Sequence, residues 1–137
     1  MDEATRLESA RLLGAHDGST RIAVVGASRV TSKFGYIITA DLIGRGYTVL
    51  PVNPTEQELL GRQCLASVTE AQGPVHIVNF VVPARVTLET LRTLDPAAFP
   101  FVWFQPGSFD RACVTYARDR FPHVAEGDCI MVVAGAY

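Results

Sequence analysis

The sequence predicts one α/β domain of the Rossmann-like kind, an open parallel sheet of about five strands with helices on both faces. Three observations predict it. Short runs apolar on both faces, such as Ile22-Ala23-Val24-Val25 and Phe101-Val102-Trp103-Phe104, read as strands buried inside a parallel sheet. Segments of helical periodicity alternate with them, and each parallel crossover needs such a helix. No linker or repeat divides the 137 residues, the ordinary size of one domain.

The elements follow in order. Ala4, Leu7, Ala10 and Leu13 recur at three-residue spacing and predict a first helix over Glu3–Leu13, ended by Gly14 and a polar loop. Residues 1–20 are assigned to the same domain as the Rossmann-like body, residues 21–137. The first strand, Arg21–Val25, closes on Gly26. Phe34, Ile37, Ile38 and Leu42 then predict a helix stopped by Gly44 and Gly46. The second strand covers 47–52 and ends at Asn53-Pro54. A loop through Gly61, a short stretch at Arg62-Gln63-Cys64 and a one-turn helix over 67–71 lead to a third main strand over 75–82, closed by Pro83. A helix over 87–92, a strand over Phe101–Phe104, a helix over Arg111–Arg118 and a final strand over 129–133 complete the reading.

Composition narrows the function. The chain is 48% apolar and 19% charged with a net charge of −2, so nothing in bulk attracts nucleic acid or anionic lipid. Cys64, Cys113 and Cys129 form no CxxC pair, and the N-terminus lacks a signal-peptide pattern. Reduced thiols and a cytoplasmic location are expected. No apolar run reaches the ~20 residues of a membrane helix.

In open parallel sheets ligands bind beyond the carboxyl ends of the strands. Four turns there carry small, proline or amide residues: Gly26-Ala27-Ser28, Asn53-Pro54, Val81-Val82-Pro83 and Gln105-Pro106-Gly107-Ser108. They are expected to outline a single cleft. At the first turn a phosphate could approach backbone N–H groups past Gly26 and Ala27, in line with the start of the next helix. Ser28 would add a hydroxyl, and Arg29 and Lys33 would neutralise charge. The plainer reading of Gly26 is a tight strand-to-helix turn. The dinucleotide fingerprint GxGxxG is incomplete, and Asn53 replaces the acidic residue that holds ribose hydroxyls, which disfavours NAD. A ligand with an extra ribose phosphate suits the nearby cations better.

These residues resemble the small single-domain CoA-binding proteins, whose domain is like that of the succinyl-CoA synthetase α-subunit. The resemblance runs over residues 21–133 and rests on Val25-Gly26-Ala27-Ser28, Gly46-Tyr47 followed by Pro51-Val52-Asn53-Pro54, Leu60-Gly61, Val102-Trp103-Phe104-Gln105 and Cys129-Ile130-Met131. It implies coenzyme A or an acyl-CoA as ligand. It implies further that Gly26, Ala27 and Ser28 hold the pyrophosphate and that Lys33 or Arg29 meets phosphate. Asn53 and Pro54 would border the adenosine, and Val81, Val82 and Pro83 the adenine or the start of the pantetheine arm. The loop from Arg29 to Gly35 is less proline-rich than the family's pattern, and Gln105 is followed by Pro106. The resemblance also puts Cys129 at the start of the last strand, where a mixed disulfide with CoA is conceivable; a small buried residue is the plainer reading.

Other residues have bland readings. His76 reads as a satisfied strand histidine, Trp103, Phe101 and Phe104 as core, and Asp110 as a helix cap. No histidine shares metal-ligand spacing with a cysteine, and no Ser/His/Asp order or paired carboxylates stand out. The expected function is therefore CoA binding by a non-catalytic carrier or regulatory module, as a homodimer or with an acyl-CoA enzyme. An NAD(P)-dependent oxidoreductase and a nucleotide-responsive regulatory protein are the alternatives. On this reading Gly26→Val abolishes binding while leaving the fold largely intact.

Overall fold

The computed structural model describes residues 1–137. Its helices are α1 (Glu3–Leu13), α2 (Phe34–Gly44), α3 (Ala84–Leu91), α4 (Arg111–Arg118) and α5 (Ile130–Ala134). Its strands are β1 (Arg21–Val25), β2 (Thr48–Val52), β3 (Glu58–Leu59), β4 (Arg62–Gln63), β5 (Ile77–Phe80), β6 (Phe101–Phe104) and β7 (His123–Glu126). Five of these strands make one all-parallel sheet in the order β2-β1-β5-β6-β7, as the apolar runs predict. The hairpin β3–β4 stands apart, turned by Leu60 and Gly61, both at positive φ.

Strand alternation explains the two cores. Ile22, Val24, Ile77, Phe101 and Trp103 face one side and pack on Leu12 and Leu13 of α1, Ile38 and Leu42 of α2, and Ile130 and Ala134 of α5. Ala23, Val25, Val78, Phe80, Val102 and Phe104 face the other and pack on Leu91 of α3 and on Cys113 and Ala117 of α4. Each fully buried large side chain contributes about 2 to 3 kcal/mol. The aromatic trio of β6 is core, and the Trp103 indole N–H donates to the Asp128 carbonyl at 2.8 Å. Asp110 caps α4 by accepting the Cys113 N–H at 3.0 Å.

Several expectations change. Residues 129–133 are not a strand: Ile130–Ala134 form α5, and the last strand is His123–Glu126. That strand lies at the sheet edge and buries only Ala125, so it has no apolar run to announce it, whereas Val132-Val133 imitates one. On α1 the buried face is Thr5, Ser9, Leu12 and Leu13, and Leu7 is exposed. On α2, Gly35, Ile38, Thr39 and Leu42 face the sheet, while Phe34 and Ile37 face outward. α3 starts at Ala84, directly after Pro83, whose ring fixes φ at −57° and whose carbonyl accepts the Thr87 N–H at 3.1 Å. No helix is long and apolar enough to cross a membrane.

Candidate functional site

Strand order reverses between β1 and β5, and the connections from these two neighbours leave to opposite faces of the sheet. That divergence opens a crevice at their carboxyl ends. A cavity of about 580 Å³ lies there.

The first turn is closed by two glycines. Gly26 has φ +98°, and a Cβ on it would stand 2.3 Å from the Val81 carbonyl oxygen. A Cβ on Gly35 would stand 2.0 Å from the Gly26 carbonyl oxygen, so the start of α2 presses directly on the turn. Lys33 precedes α2 without capping it through its side chain. The N–H groups of Ala27, Ser28, Phe34 and Gly35 consequently have no internal acceptor. Four unpaired donors therefore lie around one turn at the positive end of a helix, on residues that share the cavity lining with Lys33. The Ser28 hydroxyl oxygen accepts the Val30 N–H at 3.1 Å and keeps its own proton free to donate.

The opposite walls are less polar. Val52, Val68, Val82 and Val86 supply apolar surface, Asn53 and Pro54 the end of β2, and Val81 and Pro83 the exit from β5. One stripe of α3 and its extension, Val86, Glu89, Thr90 and Thr93, closes the far side. Lys33 is the one cation of this lining and Glu89 the one carboxylate. No histidine or cysteine lines the cavity.

Nine of the ten residues singled out in the sequence line this cavity together: Gly26, Ala27, Ser28, Lys33, Asn53, Pro54, Val81, Val82 and Pro83. Arg29 does not. Its exposed guanidinium lies 3.6 Å from the Glu56 carboxylate. Asn53 is half structural. Its amide N–H donates to the Ala27 carbonyl at 2.8 Å, and its oxygen accepts the Thr55 N–H at 2.8 Å and the Glu56 N–H at 3.3 Å.

The fourth turn does not join the cleft. The Gln105 side chain turns toward α5, accepting the Ile130 N–H at 2.8 Å and donating to the Cys129 sulfur at 3.3 Å. Cys129 accordingly sits at the start of a helix, outside the cavity, rather than at the start of a strand. Sequence reasoning missed Ser67, Val68 and the α3 stripe. The spacing of Val86, Glu89, Thr90 and Thr93 was the available signal once a helix was taken to begin behind Pro83.

A model of the CoA-binding domain matches residues 20–135. The chain belongs to this CoA-binding domain family. Among family relatives, the uncharacterised protein YneT of Bacillus subtilis is 29% identical over 114 residues, which are 83% of this chain and 84% of that one. The α-subunit of the ADP-forming acetate–CoA ligase II of Pyrococcus furiosus is 39% identical over 71 residues, 51% of this chain but 16% of the subunit. The chain thus spans a small part of the ligase subunit it matches. Among solved structures, a hypothetical protein of Pyrococcus horikoshii superposes with a TM-score of 0.83 at 28% identity, covering 99% of this chain and 94% of its own. A conserved hypothetical protein of Pyrococcus furiosus superposes at 0.76 with 38% identity, covering 82% and 97%.

Proposed function

We propose that this CoA-binding domain holds coenzyme A or an acyl-CoA through its ADP moiety and performs no chemistry alone, acting as a carrier or regulatory module. The observation that carries the reading is the closed glycine turn, where four unpaired N–H groups and Lys33 face one cavity. A pyrophosphate would bind at that turn, accepting several N–H bonds at once. The base would lie against the valines of the opposite walls, with Asn53 and Pro54 beside its ribose. The lining offers hydroxyls but no histidine or cysteine, so no hydroxyl there has an imidazole to activate it. Family membership supports CoA over other nucleotides.

Calorimetric titration with CoA, acetyl-CoA, dephospho-CoA, NAD, NADP and ATP tests the proposal. Selective binding of the CoA forms is the expected result. Binding of NAD or NADP without CoA would overturn it in favour of a redox enzyme.

A further inference from the structure

We infer that Arg29 and Glu56 together set how strongly the cleft prefers a nucleotide with a phosphate on its ribose. Arg29 is the cation for that phosphate, and Glu56 is the competitor that holds Arg29 and repels the phosphate. The inference rests on the nucleotide reading above and deepens it.

The placement comes from topology. With pyrophosphate at the turn after β1, the ribose lies at the end of the second strand, where dinucleotide folds carry an acid for hydroxyls or an arginine for a phosphate. Here that position is Asn53, whose amide is spent on backbone: it ties the Ala27 carbonyl to the Thr55 and Glu56 N–H groups. One side chain thereby fixes both loops that carry Arg29 and Glu56. Arg29 reaches from the loop after β1 to the loop after β2, and its Nη1 lies 3.6 Å from the Glu56 Oε2. Lys33, the one cation lining the cavity, lies at the pyrophosphate turn, and Arg29 is the cation on the two loops that Asn53 holds at the end of the second strand.

The pair is built to exchange. A single long contact between side chains 68% and 34% exposed is a weak interaction in water. A phosphate dianion offers Arg29 two parallel acceptors instead of one carboxylate oxygen. Glu56 stays behind when Arg29 leaves. It also lines a neighbouring cavity with Glu58 and Glu70 that has no basic residue, so the field at this edge opposes the incoming phosphate. Arg29 therefore raises the preference for CoA over dephospho-CoA, and Glu56 lowers it.

Titration of wild type, Arg29→Gln, Glu56→Gln and Lys33→Ala with CoA and with dephospho-CoA, alongside thermal melts, is the test. Arg29→Gln is expected to weaken CoA about tenfold, the loss of an exposed charge-assisted contact to the phosphate, with dephospho-CoA unchanged. Glu56→Gln is expected to tighten CoA about threefold and leave dephospho-CoA alone, within the range of one exposed charge pair. Lys33→Ala, on the pyrophosphate, weakens both ligands equally. If Arg29→Gln and Glu56→Gln instead shift both ligands in parallel, with matching losses of melting temperature, the pair only staples two loops and the inference falls while the nucleotide reading stands. If wild type binds neither ligand, the nucleotide reading itself fails.

Discussion

Gly26 is demanded by the fold itself, whatever ligand the cleft takes. Any side chain there meets the Val81 carbonyl oxygen at 2.3 Å and must also adopt φ +98°. The expectation that Gly26→Val spares the fold is therefore corrected. The variant is expected to lose about 2 kcal/mol or more, read as a lower denaturant midpoint, and it cannot serve as a clean binding mutant. His76 behaves differently. Its Nδ1 accepts the Arg21 N–H at 3.0 Å, and burial holds its pKa below the ordinary 6.5. The unfolded chain then binds the extra proton first. Stability is full above about pH 6.5 and is lost as pH falls from there toward the lower folded value, because an imidazolium cannot accept that bond. His76→Asn is expected to flatten this part of the melting-temperature profile between pH 7.5 and 5; an unchanged slope would assign the effect elsewhere.

Elements differ in how plainly their residues announce them. β1 and β6 are buried along nearly their whole length, so their composition alone declares them. β7 buries one residue of four and is made a strand by pairing with β6, whose residues lie 22 positions earlier in the sequence, as Phe101 with His123. α5 is the complementary case. Its five residues carry β-branched valines, yet the Gln105 side chain accepts the Ile130 N–H and Ile130 and Ala134 are buried against the sheet. Tertiary contacts decide it, not propensity. Gln105→Ala leaves that buried N–H without an acceptor and is expected to cost about 1 to 3 kcal/mol. Amide exchange in residues 130–134 should accelerate more than in β1; uniform acceleration would mean that Gln105 supports the whole sheet.

At the scale of the whole molecule, the candidate site was legible where it depends on strand ends and illegible where it depends on packing. Gly26, Asn53 and Pro83 punctuate apolar runs and so marked their turns. Ser67 and Thr93 enter the cleft only because the loop after β4 and the end of α3 fold over it. Arg29 lies outside the cavity lining for the same reason, its guanidinium reaching across to Glu56 on the neighbouring loop. The reversal between β1 and β5 has a kinetic side. Ile22 pairs with Ile77, so the cleft's two central strands meet only after the whole of α2, β2 and the β3–β4 hairpin has been threaded between them. Closing so long a loop is paid in chain entropy before any contact rewards it, and such pairings form late. A chain still emerging from the ribosome has its Gly26 turn long before it has Val81 to set against it. The cleft therefore takes shape only once β5 and α3 have joined the sheet, rather than growing as the chain lengthens.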